Sequence, residues 1–254
     1  DVVYICSNAE IARQNIARLR GAHGMTDAPL PDRITMLPLH SEHLTEQGLN
    51  FFSFTPSTSL ELKSSEGTAR ERAMLVLMLR EVWGVDALSG TSALRVFQGH
   101  VMRVEWFGGR VDELQNEMAH GISPHLTAKL RQQVAEHDEH ARRAGEPTLR
   151  ERFEALRDAG DGGTWDDAAL QDRRDFIGTA RRLLARTCVA ELEPDLIILD
   201  EFQRFGSLLH GDDPASQLAE ELFSFVDADT DIEARVLLLS ATPYKMFTTH
   251  EEAA

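Results

Sequence analysis

Two adjacent carboxylates, Asp200 and Glu201, are the side chains of this 254-residue chain best suited to chemistry by type and spacing. They follow an apolar run at 196–199, which is typical of a strand buried on both faces of a parallel sheet. Ligands bind at the carboxyl ends of such strands. The first carboxylate can hold a hydrated Mg²⁺ ion, and the second can orient or deprotonate an attacking water. Because acidic strand ends are common, this pair of carboxylates is compatible with a nucleotide site but does not by itself indicate one.

A second apolar run, at 235–239, predicts another buried strand, and it ends in Ser240-Ala241-Thr242 followed by a proline. The ordered pair of D-E-F-Q at 200–203 and S-A-T-P at 240–243 is much rarer than either segment alone. Together they resemble motifs II and III of the superfamily 2 helicases and DNA translocases.

The resemblance implies a role for each polar residue of the two motifs. Asp200 would hold Mg²⁺ through water, and Glu201 would act on the water that attacks ATP. Gln203 would bond to Ser240 and Thr242, so that the nucleotide state reaches the nucleic-acid cleft. The implied cofactors are therefore ATP and Mg²⁺.

The segment S-N-A-E-I-A-R-Q at 7–14 resembles helicase motif Ia, P-T-R-E-L-A-x-Q. The Glu, the second Ala and the final Gln match, whereas the Pro, Thr and Arg positions are lost. A strand that delivers a helix N-terminus is suited to a phosphate of bound nucleic acid. The resemblance therefore makes Ser7, Asn8 and Gln14 candidate nucleic-acid-binding residues. The alternative is an ordinary amphipathic helix with its N-cap.

The tetrapeptide T-P-S-T at 55–58 resembles motif Ib, T-P-G-R/T, which contacts the nucleic-acid backbone in the family. Thr55, Pro56 and Thr58 are the candidates. Ser57 replaces the usual Gly, which puts a close backbone approach in doubt. As a bare tetrapeptide the segment is only a turn.

A Walker A loop is absent, because no G-x-x-x-x-G-K-[ST] occurs in the sequence. The resemblance implies that this loop precedes Asp1 and that a second motor domain follows Ala254. The chain opens inside an apolar strand without an initiator Met. We therefore expect an internal piece of a longer protein, inactive by itself.

The predicted elements favour an α/β fold built from βαβ units with a mainly parallel sheet. Strands are expected at 2–6, 34–39 and 51–54, and a helix at 9–20. The fold implied by the resemblance is an incomplete three-layer RecA-like P-loop NTPase domain. Residues 1–63 would carry motifs Ia and Ib, and 164–254 would carry motifs II and III.

A mostly helical insertion is expected at 64–163, with helices at 67–82, 111–143 and 149–159 and a short strand near 101–107. Thr164 is expected to cap a further helix that runs to about 189, and Asp213 and Pro214 to begin another. The long insertion resembles those of prokaryotic Swi/Snf-like helicases more than compact DEAD-box proteins. It also offers a surface for a protein partner.

The composition of the chain limits the kinds of binding partner that can be expected. A net charge of −16 argues against a general electrostatic grip on nucleic acid, so contacts must be local. No apolar run approaches the roughly 18 residues that span a bilayer, which predicts no membrane partner and a cytoplasmic location. Cys6 and Cys188 are isolated and predict reduced thiols.

Two functions follow from these observations. The first is part of an ATP-dependent helicase or translocase that acts on DNA, less so on RNA. The alternative is a non-catalytic or truncated helicase-like module that binds partners or nucleic acid without hydrolysing ATP.

Overall fold

The computed structural model describes residues 1–23, 31–43, 50–62, 66–118, 121–160, 165–205, 213–226 and 233–240. The chain divides into two compact units. An α/β unit comprises 1–30, 47–60 and 193–254, and a helical unit comprises 31–46 and 61–192. The helical unit therefore includes 31–46 and the long helix up to 192, both of which the sequence analysis assigned to the motor-like parts. That helix packs against other helices of its own unit.

The α/β unit contains a four-stranded parallel sheet, which confirms the predicted α/β class. Its strands are β1 (Val2–Cys6), β2 (Phe51–Phe54), β3 (Leu196–Asp200) and β4 (Arg235–Leu239). The order across the sheet is β2-β1-β3-β4. Cys6 lies opposite Asp200, which in turn lies opposite Leu239. All four strands therefore end at the same edge.

Strand β1 lies between β2 and β3, and all five of its residues are buried. Val2, Tyr4 and Cys6 share one face and pack with Ala12 and Ile16 of helix α1 (Ala9–Ala22). Side chains alternate along a strand, so this set is the period-two face that α1 covers.

Helix α1 begins at the predicted place. The Asn8 side chain accepts hydrogen bonds from the backbone amides of Glu10 and Ile11, at 2.9 and 3.2 Å. These bonds satisfy two amides that lack partners within the helix. The N-cap fixes the direction in which the chain leaves β1.

Strand β4 was predicted to be buried, and that prediction is wrong: all five of its residues are exposed. Val236 and Leu238 are 44% and 51% exposed. Among the described residues, β4 is the outermost strand and pairs with β3 alone, so one backbone edge and both faces stay open. An open edge with apolar side chains is a template for pairing with further strands.

This open edge leads to the first prediction. We expect the 254-residue chain alone to self-associate, and Leu238→Lys to shift it towards monomer, because a charged edge disfavours strand pairing. Light scattering during size-exclusion chromatography at several concentrations measures the change. Val85→Lys is the control, since Val85 is 60% exposed but lies outside the sheet. Equal association of wild type and Leu238→Lys would place the contact elsewhere.

The helical unit contains six main helices among its described residues. They are α3 (Ala69–Trp83), α4 (Thr91–Gln98), α5 (Val104–Glu117), α6 (Pro124–Ala144), α7 (Leu149–Ala159) and α8 (Asp167–Leu192). Short helix α2 (Pro56–Ser59) follows β2, and α9 (Pro214–Phe223) precedes β4. The helices predicted at 67–82, at 149–159 and after Asp213 are confirmed. Thr164 lies outside the described residues.

Three predicted segments differ from the structure. The strand at 34–39 is wrong: Ile34–His43 is a 3₁₀ helix that contains Pro38, which has no amide to donate to a sheet. The strand near 101–107 is also wrong, because Arg103 is followed by α5. The single helix at 111–143 is two helices, α5 and α6, and Pro124 begins the second at N1 or N2, where its missing amide does no harm.

A buried ion pair joins α3 and α8 inside the helical unit. Arg181 and Glu71 are each 1% exposed, and Arg181 Nη2 donates to Glu71 Oε1 at 2.8 Å. Thr35 Oγ1 donates to the same oxygen at 2.9 Å. Gly67 has φ +59°, and an added Cβ there would lie 2.4 Å from Arg181 Cζ. The glycine therefore gives the guanidinium the space it occupies.

Candidate active site

The carboxyl edge of the sheet collects the residues that the sequence singled out. Ser7 follows β1, Thr55 follows β2, Asp200 ends β3 with Glu201 after it, and Ser240 follows β4. Because the strands are parallel and in register, these positions share one edge. The segments that resemble motifs Ia, Ib, II and III are therefore neighbours in the sheet.

Asp200 is half-buried and bonded to strand β1. The Tyr4 hydroxyl donates to Asp200 Oδ2, and Asn15 Nδ2 donates to the Tyr4 oxygen at 2.7 Å. Burial, together with the Asp200 carboxylate, raises the pKa of Tyr4 above its ordinary value. Tyr4 therefore remains a neutral phenol that donates a hydrogen bond to Asp200.

Glu201 sits in an unusual backbone conformation. Its φ is +57°, a left-handed conformation that costs a non-glycine residue about 1–3 kcal/mol. Its Oε2 accepts a hydrogen bond from Ser7 Oγ at 2.9 Å and lies 3.1 Å from Arg204 Nε. The turn thus directs the Glu201 carboxylate towards the end of β1.

The structure describes only some of the residues that were predicted to couple the two sites. Gln203 lies in the 3₁₀ turn Phe202–Phe205, directly after the carboxylates, but only its backbone is described. Ser240 is half-buried at the end of β4. Ala241 and Thr242 lie outside the described residues. The bond from Gln203 to Ser240 and Thr242 therefore stays a prediction.

The residues predicted to bind nucleic acid in the segment that resembles motif Ia differ in how far their side chains are already engaged within the chain. Gln14 is exposed on α1. The Asn8 side chain already accepts from the amides that begin α1, and Ser7 already donates to Glu201. Asn8 therefore acts as the helix cap that the alternative interpretation expected, whatever else it binds.

The segment that resembles motif Ib contains the short helix α2. Thr55 is buried, and its carbonyl accepts from the amides of Thr58 and Ser59 at 3.0 and 2.7 Å. Pro56 is half-buried at the start of the helix, and Thr58 is exposed. Of the three candidates, Thr58 is the side chain best placed to meet a ligand.

Sequence reasoning missed the partners of the two carboxylates. Tyr4 was predicted only as part of the strand at 2–6, and Arg204 was not among the predicted site residues. Asn15 was not singled out at all. The signal was weak but present: Tyr4 is the one side chain in V-V-Y-I-C with a hydroxyl, on a strand that ends at the predicted site.

The donor set fits a hydrated Mg²⁺ ion. Asp200 Oδ1 accepts no hydrogen bond from the part of the chain that the structure describes, so it is available to a metal-bound water. Within the same part, no three or more His, Cys, Asp or Glu side chains form a metal cage. Mg²⁺ suits such a site, since it usually keeps several waters and binds one or two carboxylates beside substrate phosphates.

Comparisons of the chain with models of protein families, with curated proteins and with solved structures find no match. Of the helices among the described residues, none combines the length and apolarity that crossing a membrane requires.

Proposed function

We propose that this chain is the ATP-hydrolysing part of a nucleic-acid helicase or translocase with a RecA-like sheet. The observation that carries the proposal is the placement of Asp200 and Glu201 at the carboxyl end of β3. On the same edge, the neighbouring strands present the segments that resemble motifs Ia, Ib and III. The strand order is what supports the resemblance, because sequence similarity alone says nothing about which strands are adjacent.

Each carboxylate has a separate task in this proposal. Asp200 holds the hydrated Mg²⁺, whose charge offsets that of the ATP phosphates. Glu201 orients the attacking water and accepts its proton. The bond from Ser7 and the left-handed turn at Glu201 fix where that carboxylate lies before substrate arrives.

The phosphates of ATP need a binding loop that these 254 residues do not supply in recognisable form. We infer that a further parallel strand pairs with the open edge of β4 and carries that loop. Two features support this: β4 exposes apolar side chains on both faces, and its carboxyl end lies level with Asp200. The added strand would pair with the open backbone edge of β4 and bring the loop beside the carboxylates.

Nucleic acid would meet this unit locally, given the net charge of −16. Gln14 and Thr58 are the exposed polar candidates among the residues of motifs Ia and Ib. We propose DNA, in preference to RNA, as the nucleic-acid partner. The proposed compartment is the cytoplasm. The helical unit is the surface proposed for a protein partner.

The test is ATP hydrolysis by the protein expressed from its complete coding sequence, with and without single-stranded DNA, duplex DNA and RNA. Mg²⁺-dependent hydrolysis that one of these nucleic acids stimulates supports the motor. Absence of turnover with every nucleic acid contradicts it and favours the second candidate.

The second candidate is a helicase-like module that binds nucleic acid or a protein without hydrolysing ATP. The observation in its favour is the missing phosphate loop together with carboxylates that already have partners within the chain. Binding of nucleic acid without any ATP binding, in the same protein, would establish this candidate.

A further prediction concerns coupling at the end of β4. We expect the double substitution Ser240→Ala and Thr242→Ala to spare basal ATP hydrolysis, because neither side chain acts on the water. We expect the nucleic-acid-stimulated rate to fall about fivefold or more, since each lost hydrogen bond is worth about 1 kcal/mol. Parallel assays of hydrolysis and of translocation or strand displacement measure this. Unchanged work per ATP would show that the hydroxyls do not couple the two sites.

A further inference from the structure

Strand β1 and the residue after it supply one side-chain hydrogen bond to each carboxylate of the candidate site. Tyr4 lies opposite Ile198 in the parallel register, and Asp200 is two residues further along the same face of β3. The phenol ring therefore runs diagonally along the sheet and brings its hydroxyl to Asp200. This reach is longer than that of any aliphatic side chain at the same position.

The hydrogen-bond direction at Tyr4 is fixed by its other partner. A phenol has one proton, and here its oxygen accepts from Asn15 Nδ2 at 2.7 Å. Because the Asn15 amide occupies the oxygen as an acceptor, the single hydroxyl proton points to Asp200 Oδ2. Asn15 lies on α1, so the helix that covers β1 also orients the hydroxyl. One carboxylate oxygen is thus fixed, and none of the residues that the structure describes donates to the other.

Ser7 makes the equivalent contact with the second carboxylate. Its Oγ donates to Glu201 Oε2 at 2.9 Å, across 194 residues of sequence. The φ of +57° at Glu201 is what turns that side chain towards Ser7. A strained turn that persists at a site needs surrounding contacts to hold it, and this hydrogen bond is one of them.

We propose that Tyr4 and Ser7 are positioning residues with separate tasks: Tyr4, oriented by Asn15, sets the metal-binding geometry of Asp200, and Ser7 sets the water-facing geometry of Glu201. This inference rests on the proposed ATP-hydrolysing function and adds residues that motifs II and III do not contain. It predicts a divided effect. Loss of the Tyr4 hydroxyl alters metal affinity, and loss of the Ser7 hydroxyl alters turnover.

The experiment compares Tyr4→Phe with Ser7→Ala in the protein expressed from its complete coding sequence. Mn²⁺ binding in the presence of ADP is followed by electron paramagnetic resonance, and turnover is measured at saturating Mg²⁺ and ATP. Tyr4→Phe should weaken Mn²⁺ binding roughly tenfold, as is typical when a partner of a metal ligand is lost. At saturating metal its turnover should fall less than that of Ser7→Ala.

Ser7→Ala should give the opposite pattern. We expect Mn²⁺ affinity to be unchanged and turnover to fall about tenfold, a part of the roughly 10²–10⁴-fold that a positioned general base contributes. Ser7→Thr keeps a hydroxyl and should recover most of that turnover. Ser89→Ala is the matched control, because it also removes a serine hydroxyl that donates a hydrogen bond, at 2.7 Å to the Val85 carbonyl.

Thermal unfolding of each variant separates positioning from folding. If Tyr4→Phe lowers the unfolding midpoint, Asn15→Leu distinguishes a positioning role from a folding role. It keeps the Tyr4 hydroxyl but removes its second partner, and it should also weaken Mn²⁺ binding. Equal loss of affinity and turnover in both variants, or no loss in either, overturns the inference. Glu201→Gln in the same protein shows whether the proposed function fails with the inference. If Glu201→Gln abolishes turnover, the proposed ATP hydrolysis stands even when the inference about Tyr4 and Ser7 fails. If Glu201→Gln is fully active, both the proposed function and the inference fail.

Discussion

Replacing Glu201 with Gln in the protein expressed from its complete coding sequence is expected to reduce ATP turnover by at least about 10²-fold, the lower limit for loss of a positioned general base. The amide keeps the size of the side chain and can still contact Ser7 Oγ, but it cannot accept the proton of the attacking water. Nucleotide affinity should remain within a few-fold of wild type, since phosphates and Mg²⁺ are held elsewhere. Single-turnover hydrolysis and equilibrium binding of a fluorescent ADP analogue measure the two quantities.

Glu220→Gln is the matched control for this substitution. Glu220 is exposed on α9 in the same unit, so its replacement changes the net charge equally without touching the sheet edge. The control should hydrolyse ATP as wild type does. Turnover by Glu201→Gln within a few-fold of wild type would contradict the assignment of Glu201 to the attacking water.

Replacing Arg181 with Met is expected to destabilise the helical unit by about 3–5 kcal/mol, as is typical when one partner of a buried pair is removed. Glu71 would stay buried at 1% exposure without its strongest counter-charge. Arg33 would remain, but at 3.5 Å from Glu71 Oε2 and partly exposed. Far-UV circular dichroism during denaturant unfolding, which follows the helices, gives the free energy of unfolding.

Arg182→Met separates the ion pair from the general effect of losing an arginine on α8. Arg182 is the next residue and is exposed, so the change should cost no more than about 0.5 kcal/mol. The double variant Arg181→Met with Glu71→Met should be more stable than Arg181→Met alone, because no unpaired buried carboxylate remains, although Thr35 and the Thr68 amide lose their acceptor. Similar losses for Arg181→Met and Arg182→Met would rule out a special contribution from the pair.

The same pair makes the helical unit sensitive to acid. Burial by itself would raise the pKa of Glu71, but Arg181, the Thr68 amide and Arg33 together hold it below the ordinary 4.5. The folded state therefore binds this proton less readily than the unfolded chain does. The stabilising contribution is complete above the unfolded pKa and is lost as pH falls through the folded value. In Arg181→Met the folded-state pKa of Glu71 should rise towards the unfolded value, so this acid-dependent loss of stability should become smaller.

The sequence was most informative where a residue type has one common structural use. The apolar run before Asp200 could hardly be anything but a central strand, and it is β3. Asn8 and Pro214 begin helices at the predicted places. The prediction failed at 34–39, where the apolar pattern suggested a strand but Pro38 and contacts of the helical unit produce a 3₁₀ helix.

The contacts within the site could not be predicted from the sequence. The Tyr4 to Asp200 bond spans 196 residues, and it depends on which strands are neighbours and in which register. The exposure of β4 depends likewise on what pairs with its open edge, which no local pattern records. The residue types around the strand end were therefore enough to predict the two carboxylates. Their hydrogen-bond partners could be identified only from the tertiary structure.

The separation of β1 and β3 along the chain has a consequence for biosynthesis. Val2 pairs with Leu196, so the centre of the sheet waits for a strand made much later. At the usual 5–20 residues per second, β3 leaves the ribosome about 10–40 seconds after β1. During that interval helices α3 to α7, which contact one another and lie between 69 and 159, can already begin to pack, whereas α8 is completed only just before β3. We therefore expect the helices to form the first compact structure on the nascent chain, while the apolar residues of β1 await their partner and are exposed to chaperones.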